Sequence, residues 1–454
     1  MDGANERIRL RKHLNADALL ATLRSRFEKV PDGRRDPDIS LADALLSGYA
    51  LFSLKCPSLL QFDKERREGN IKRIFGVQKV PCDSRMREIL EGVDPKELRP
   101  AFTEIFRPLQ RGRVLEKFLF LDQYYLVSVD GSEFFRSEKI HCAGCRVTHH
   151  KDGTVSYSHQ MLGAVIVHPD RREVIPLCPE PIVKQDGQSK NDCEHNAMLR
   201  LLPDMRREHP HLHMIVVADG LASKAPNIRE MQAWGFHYIL GAKPGDHAYL
   251  FGEIERRRAS GAMTVVERTD PKTDRRQVCR FVAGVPLNES NLDLLVNFVD
   301  YAEIDPASGE KVLYFSWVTD LTVTRKNVWE IVRGGRARWK VENETFNTLK
   351  NQGYNAKHNY GHGPNLSTVF TYLMMLAFLV DQVQQLCCPL FQAALDKLGS
   401  RRSLWQKIRG KFDNFVLDSM QRILEAIVYG LVRTAPPIDY PPATASAPAI
   451  ADSS

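Results

Sequence analysis

The chain has 454 residues, 43% hydrophobic and 26% charged, so it is long enough to bury one large core or two to three smaller ones. With 28 Gly and 25 Pro, the composition excludes a collagen-like chain. The longest predominantly apolar run, residues 369–380, is shorter than the roughly 20 residues that a membrane span needs, which argues against a membrane protein. Acids and bases interrupt the first twenty residues, so no signal peptide is expected and a reducing cytosol is the predicted compartment.

Positive charge is concentrated in the first quarter of the chain. The whole chain has 63 Lys and Arg against 56 Asp and Glu, a net charge of +7, and residues 1–117 alone have 24 against 18. A basic region of this kind can bind polyanions by releasing counterions from phosphates. A solvated helical surface explains the same charge equally well, so the charge alone leaves both interpretations open.

Helical patterns predominate up to about residue 113. Apolar residues recur at three- and four-residue spacings in 19–27 and 41–54, and Ser40 is placed to cap the second of these helices. Two further helices are predicted on either side of Asp94-Pro95. The N-terminal region is therefore predicted to be a bundle of short helices.

Strand patterns begin after about residue 118. Three consecutive segments, 124–135, 159–169 and 173–183, predict an antiparallel meander. Helix, strand, helix and strand alternate over 193–243, and this order predicts a mixed sheet flanked by helices. Short, irregular strand-like pieces follow in 244–310 and are interpreted as a β-rich insertion.

Regular order resumes after the insertion. A strand is predicted over 311–321, then a helix over 327–350 that is interrupted at Gly334-Gly335, and then a long core helix over 365–386. The last segment, 434–454, is rich in Pro, Ala and Ser and is predicted to be disordered.

Three acids stand out by their surroundings. Asp130 and Asp219 each end an apolar strand-like stretch and precede a glycine, and Glu342 lies on the predicted helix 327–350. A carboxylate placed near a core is costly unless a cation meets it. Oxygen ligands suit Mg²⁺ and Mn²⁺, and two such ions about 3.5 to 4 Å apart activate a nucleophile and stabilise a leaving oxygen.

Either Asp-Gly pair alone is more simply explained as a turn that ends a strand. The order along the chain changes this balance: three strands beginning with the first acid, a helix, a strand bearing the second acid, and a late helix bearing the third. That order describes a ribonuclease-H-like arrangement, an α/β fold with a mixed sheet flanked by helices, here with an N-terminal helical domain and the β-rich insertion.

The chain resembles a DDE transposase of bacterial insertion sequences, in the subgroup with a β-rich insertion between the second Asp and the Glu. The matching segments are 129–131, 217–220 and 338–350, and the most specific of them is the Arg-Trp-x-x-Glu stretch that ends at Glu342. The resemblance covers residues 118–385. It implies a metal-dependent enzyme that cuts DNA at the ends of the element and joins the 3′ ends to target DNA.

The resemblance also implies roles for individual residues. Asp130, Asp219 and Glu342 would be catalytic and would hold Mg²⁺ or Mn²⁺, as two ions. The family has a Tyr-Arg-Glu-Lys signature, with Arg four residues before Glu, and Arg338 meets this spacing. Lys350 stands eight residues after Glu342, close to the same helical face. Arg338 and Lys350 are thus predicted to bind DNA.

Two positions depart from that signature. The family places Tyr three residues before Arg and Lys seven residues after Glu, but here those positions hold Gly335 and Leu349. The role of the Tyr is therefore not carried over to this chain.

Several neighbouring residues have competing interpretations. Glu344 is a rival third ligand, but it lies about 200° around the helix from Glu342. Arg338 would form an ion pair with Glu342 one turn away as readily as it would bind a phosphate. Asp320 is either a fourth acid near the metals or, more simply, the cap of a turn.

Two tryptophans are candidate DNA-binding residues. Trp317 and Trp339 are each most simply core residues, and each is alternatively placed to stack on an unpaired base. The family uses a Trp near the position of Trp317 to hold a flipped base, and the resemblance implies this for Trp317.

The nine cysteines are about 2% of the chain, a density that predicts reduced thiols rather than disulfides. Cys142-x-x-Cys145 has half the spacing of a zinc site, but a second pair is missing from the sequence nearby. Cys178 and Cys193 would complete a site only if the strands brought them close, so reduced thiols are the favoured interpretation. No phosphate-binding loop follows a strand, so a nucleotide cofactor is not expected.

The predicted function is that of an insertion-sequence transposase that acts on double-stranded DNA, both transposon ends and target, as a homodimer in the DNA complex. It would work in the bacterial cytosol, associated with the nucleoid. The alternatives are a metal-dependent nuclease without strand transfer and a non-catalytic DNA-binding protein derived from a transposase. The predicted organisation is a basic DNA-binding region at 1–117, a catalytic core at 118–243 and 311–385, the insertion at 244–310, a helical segment at 386–433 and a tail at 434–454.

Overall fold

A computed structural model describes residues 10–65, 69–182 and 193–430 of the chain. The tail predicted at 434–454 lies outside these residues.

Six α-helices precede the sheet in the described part of the chain, and sequence signals account for where the longer ones begin. The Asn15 side chain accepts a hydrogen bond from Ala18 N, and Ser40 accepts one from Asp43 N, each at 3.0 Å, so both side chains satisfy backbone donors that a helix start leaves open. The helices are α1 (Ala16–Phe27), α2 (Leu41–Ser53), α3 (Leu59–Glu65), α4 (Gly69–Phe75), α5 (Asp83–Glu91) and α6 (Arg99–Arg111).

The middle of the chain alternates strands and helices. Its first part contains β1 (Leu119–Phe120), β2 (Tyr124–Ser137), β3 (Arg146–His149), β4 (Val155–Val167), β5 (Ile175–Pro176), β6 (Glu180–Ile182), α7 (Glu194–Glu208), β7 (Met214–Ala218), α8 (Ala225–Ala233) and β8 (His237–Gly241). Its second part contains α9 (Ala248–Ala259), β9 (Thr264–Thr269), β10 (Arg276–Asn288), β11 (Asn291–Ile304) and β12 (Lys311–Thr319).

The remaining elements are helical. They are α10 (Val328–Arg336), a π-helical segment (Val341–Phe346), α11 (Asn347–Asn351), α12 (Leu366–Cys387), α13 (Pro389–Leu398), α14 (Arg401–Asn414) and α15 (Met420–Val428).

The described strands belong to one mixed sheet. Its main path runs β3-β4-β2-β7-β8-β12-β11-β10-β9, with β1 beside β2 and with β5 and β6 beside β4. Strand β2 is antiparallel to β4 but parallel to β7, and β7 is parallel to β8. The predicted antiparallel pairing at the start of the core is confirmed, and the fold is a mixed α/β sheet flanked by helices, consistent with the ribonuclease-H-like class.

The segment 244–310 is more regular than the sequence suggested. It contains helix α9 and the long strands β10 and β11, which continue the main sheet through β12 rather than forming separate short pieces. Arg280 and Asp300 are two of the polar residues that interrupt the apolar pattern. They face each other across β10 and β11, and Arg280 Nε lies 2.9 Å from Asp300 Oδ1. A cross-strand ion pair thus takes the place of an apolar contact.

Helix α12 is the central helix of the fold. It is long and apolar enough to cross a membrane by length and composition alone, but its whole apolar stretch is buried inside the protein. Helix α2 packs along it, and Gly48 of α2 leaves room for Leu373. Lys55 and Asp381 form a buried ion pair of 2.6 Å at this interface. The helices of residues 10–117 therefore share one continuous core with α12.

The helix predicted over 327–350 is divided at a different place from the one expected. Gly334 and Gly335 lie inside α10, and the chain turns at 337–338 before the π-helical segment. A side chain at Gly335 would collide with the indole of Trp317, only 2.5 Å from where its Cβ would be. The two glycines are therefore packing positions rather than a break in the helix.

Candidate active site

Two of the predicted acids lie on neighbouring parallel strands. Strands β2 and β7 pair as far as Ser128 and Val217, and β7 ends at Ala218. Asp219 follows directly, as predicted. The strand predicted over 124–135 continues through Asp130, which faces Gly163 of β4, so the alternative of a strand-ending turn at Asp130-Gly131 is wrong. Asp130 instead lies where its parallel partner stops, so both acids reach the same edge of the β2–β7 pair.

The third acid joins them through an arginine. The Arg338 guanidinium nitrogen Nη1 lies 2.7 Å from Asp130 Oδ2 and 3.2 Å from Glu342 Oε1. The backbone of the same turn is tied to β2, because Ser128 Oγ donates a hydrogen bond of 2.8 Å to the carbonyl of Arg338. The helix is thus docked on the sheet with the carboxylates of Asp130 and Glu342 on either side of one cation.

The acids perturb one another electrostatically. Burial raises the pKa of Asp130 to about 7, the hydrogen bond with Glu342 adds to this, and the charges of Glu342 and Asp219 act in the same direction. Arg338 opposes the rise but does not cancel it. A carboxyl group whose pKa is raised to about 7 by burial and by neighbouring carboxylates lies in a region with an excess of negative charge, which is a common property of functional sites.

A fourth acid that the sequence analysis did not single out faces the same cleft. Glu194 is the first residue of α7, and it lines the cleft together with Asp130 and Asp219. Burial raises its pKa, and the charge of Asp219 raises it further. Its carboxylate lies across the backbone of Gly131, 2.1 Å from the position a Cβ would take there, so only glycine leaves room for it.

Sequence alone gave little warning of Glu194. It follows the segment 183–192, which lies outside the described residues, and no predicted strand or motif leads directly into it. The only available signal was its place at the start of a predicted helix, where acids are common for capping reasons alone.

The donor set suits hard divalent cations. Carboxylate oxygens are the ligands that Mg²⁺ and Mn²⁺ prefer, and Asp130 and Glu342 already share a cationic group in Arg338. The three acids are not arranged as one tight cage, since their oxygens do not all lie within 4.8 Å of one another.

Lys350 faces the site because of the π-helical segment. In a regular α-helix the seventh residue after Glu342 lies about 20° from it and the eighth about 80° away. A π-helical turn takes up one extra residue. The segment Val341–Phe346 therefore carries Leu349 into the core, where it is 1% exposed, and brings Lys350 to the face of Glu342. Burial lowers the pKa of Lys350, while the charges of Glu133 and Glu342 oppose this.

The two rival acids lie elsewhere. The carboxylate of Glu344 is 3.4 Å from Arg401 and 3.9 Å from Arg172, on another side of the helix. Asp320 accepts hydrogen bonds from His237 and from the backbone of Tyr238, at the start of β8 and therefore at the opposite edge of the sheet from Asp219. It stabilises that strand end rather than facing the other acids.

The two tryptophans differ in exposure. Trp317 is 5% exposed, and its indole fills the space above Gly335 and stacks on Phe315. The indole therefore leaves no room for a side chain at position 335. Trp339 is 48% exposed, and the Arg338 guanidinium lies over its ring at 4.9 Å. Trp339 is therefore the one of the two whose ring is accessible at the surface.

Comparisons with known proteins give a distant likeness. No family model matches this sequence, and no curated protein matches it. Among solved structures, the piggyBac transposase in a synaptic complex with hairpin DNA is similar at 9% sequence identity and a TM-score of 0.41, with 94% of this chain and 85% of that chain covered.

Proposed function

We propose that this protein is a DDE-type DNA transposase with Asp130, Asp219 and Glu342 as its catalytic acids. The observation that carries the proposal is the convergence of these three side chains from β2, the end of β7 and the π-helical segment. Arg338 joins Asp130 and Glu342 at 2.7 and 3.2 Å, and Asp130 and Asp219 line the same cleft. Residues 89 and 123 positions apart in the chain have no structural need to meet in this way.

In this proposal the three acids hold two divalent ions, Mg²⁺ or Mn²⁺. When bound, such ions lower the pKa of a water that attacks the scissile phosphate and neutralise the 3′ oxygen that leaves. Asp130 binds a cation only as a carboxylate, so it must lose the proton that its raised pKa retains near neutrality. In the joining step the freed 3′ hydroxyl replaces water as the nucleophile on target DNA.

The basic side chains around the acids position the DNA. Arg338 presents a planar guanidinium that suits a phosphate, and its place between Asp130 and Glu342 keeps it at the reacting centre. Lys350 offers a second positive charge on the same helical face. Trp339, exposed beside Arg338, provides a ring on which a base can stack.

The partners of this proposal are the double-stranded ends of an insertion sequence and the target DNA. Pairing of two ends requires two active sites, so we propose a homodimer in the DNA complex. A bacterial cytosol with association to the nucleoid is the compartment in which these partners are found.

Cleavage and strand transfer on a labelled fragment bearing the flanking element's ends test the proposal. With Mg²⁺ or Mn²⁺ and a supercoiled target, the native chain is expected to nick the fragment and to join its 3′ ends to the target. Glu342→Gln and Asp219→Ala are expected to abolish both activities. Glu344→Gln is the matched control, since it removes an acid from the same helix that pairs instead with Arg401.

The other outcomes separate the alternatives. Cutting without joining indicates a nuclease. Tight DNA binding without turnover, unchanged in Asp219→Ala, indicates a non-catalytic DNA-binding protein. Equal losses in Glu342→Gln and Glu344→Gln would refute the assignment of the third acid.

A further inference from the structure

A second cluster of ligand-bearing side chains lies away from the acids. Among residues 10–65, 69–182 and 193–430, it is the one group of three or more His, Cys, Asp or Glu whose ligand atoms all lie within 4.8 Å of one another. It comprises Cys142 and Cys145 from the β2–β3 loop, His159 from β4, and His362 from the connection between α11 and α12. Cys178 and Cys193, which the sequence left open as a second pair, are not in this group, and two histidines complete it instead.

The distances within the cluster match a tetrahedron around zinc. The two Sγ atoms are 3.7 Å apart, and Nε2 of His159 lies 3.5 Å from Cys142 Sγ and 3.4 Å from Cys145 Sγ. Nδ1 of His362 lies 3.4 Å from Nε2 of His159 and 3.8 Å from Cys145 Sγ. With Zn–S of about 2.3 Å and Zn–N of about 2.0 to 2.1 Å, tetrahedral geometry requires about 3.8 Å between sulfurs, 3.6 Å between sulfur and nitrogen and 3.3 Å between nitrogens.

The surroundings support metal binding by these four groups. Cys145 and His159 are 1% and 2% exposed, so their ligand atoms are shielded from water. Ser367 Oγ lies 3.3 Å from Nδ1 of His159, an outer contact that directs Nε2 toward the sulfurs. The backbone N–H of Cys142 donates to Cys145 Sγ at 3.3 Å.

We propose that Cys142, Cys145, His159 and His362 form a structural Zn²⁺ site. Four protein ligands fill a tetrahedral coordination sphere and leave no position for substrate, which is the mark of a structural rather than a catalytic zinc. Soft thiolates with imidazoles select zinc over the Mg²⁺ or Mn²⁺ that carboxylates prefer. The two sites on this chain therefore differ in the metal they bind.

The site crosslinks distant parts of the chain. His159 and His362 are separated by 203 residues, and His362 belongs to the connection that follows the Glu342 helix. Beyond it, the start of α12 is held by Glu91 of α5, whose Oε2 accepts from Leu366 N at 3.0 Å. Zinc would thus fasten this connection to β4, the strand beside β2, at a junction where the helical region also meets the sheet.

Metal analysis of the full-length protein tests the proposal. The chain, purified without chelators, is expected to contain about one zinc ion per molecule. Replacement by Co²⁺ is expected to give the thiolate-to-cobalt charge-transfer band of a tetrahedral site. Cys145→Ser and His362→Ala are expected to lose the zinc and the band. Cys82→Ser is the matched control, since Cys82 is at the N-cap of α5, is not a member of the cluster, and serine is a better cap.

Two results would overturn the zinc site. One is a native chain with no zinc and no cobalt band. The other is zinc that Cys145→Ser retains but Asp219→Ala loses, which would place the ion at the acids. If the variants fail to fold, an organomercurial that modifies thiols replaces them: it should release the zinc of the native chain, and no release would equally refute cysteine ligation. None of these measurements needs DNA, so they stand or fall apart from the transposase proposal.

Discussion

Replacing Asp130 by Asn is expected to stabilise the protein at alkaline pH while it abolishes cleavage. The pKa of Asp130 rises from 3.8 in the unfolded chain to about 7 in the fold. An acid with a raised pKa keeps its proton in the folded state at a pH at which the unfolded chain has lost it. Unfolding then releases a proton, and the free energy of unfolding falls as the pH rises from about 4 to about 7.

The magnitude follows from the size of this shift. A shift of one pKa unit corresponds to about 1.36 kcal/mol. Relative to acid solution, where Asp130 is protonated in both states, the Asp130 carboxyl group lowers the free energy of unfolding by about 4 kcal/mol above pH 7 and by about 1.5 kcal/mol at pH 5. Asn carries no charge, so its advantage over Asp grows by about 2.5 kcal/mol between pH 5 and pH 8. For a chain of this length the unfolding entropy is about 0.9 kcal/mol per degree, so the difference in Tm grows by about 3 °C.

Thermal unfolding of both proteins at pH 5 and pH 8, without added Mg²⁺ or Mn²⁺, measures this difference. Comparing each variant with itself at two pH values cancels any packing change that does not depend on pH. Asp293→Asn is the control, because Arg229 holds the pKa of Asp293 below its usual range and its ionisation does not change between pH 5 and 8. A gain in Tm from Asp130→Asn that is the same at both pH values would refute the reasoning. Mg²⁺ should narrow the gap at pH 8, since it stabilises only the native carboxylate.

Three further outcomes are expected. Glu194→Gln should slow cleavage by about tenfold or more at saturating DNA, because Glu194 lines the cleft with Asp130 and Asp219. It should not lower Tm, because it removes a half-buried negative charge beside Asp219; unchanged rates would exclude Glu194 from the site. Gly335→Ala should destabilise the fold by about 1 to 3 kcal/mol, measured by denaturant unfolding, because its Cβ meets the indole of Trp317, and full stability would contradict that packing. Lys350→Ala should weaken DNA binding equally for all sequences and lower the slope of log binding constant against log salt concentration by about one counterion, as measured by filter-binding titration. A loss of binding that depends on the DNA sequence would instead show that Lys350 contacts bases.

Local patterns determined much of the fold. The cap at Ser40 and the strand that ends before Asp219 were readable from the sequence, because each depends on neighbours within a few residues. The order of strands and helices around the acids was enough to predict the mixed sheet.

The errors of the sequence analysis arose where distant residues decide local structure. Lys350 was expected close to the face of Glu342, and the π-helical segment after Lys340 adds a residue to the turn and brings it closer to that face than a 3.6-residue period predicts. Gly335 looked like a helix break because the side chain that packs against it, Trp317, comes from strand β12, which is distant from α10 in the local pattern. Strand β10 looked short because Arg280 interrupts its apolar pattern, and the residue that pairs with this charge, Asp300, lies on the neighbouring strand β11.

The two sites show the same division. Asp130 and Asp219 were predicted as site residues because a carboxylate beside an apolar strand is unusual enough to be noticed in the sequence itself, and Glu342 was predicted from its helix and the Arg-Trp-x-x-Glu resemblance. Glu194 has no such local signal, and His159 and His362 lie 14 and 217 residues from Cys145. Ligands separated by that much chain carry no shared spacing, so only the pairing of β3 with β4 and the path of the chain into α12 bring them together.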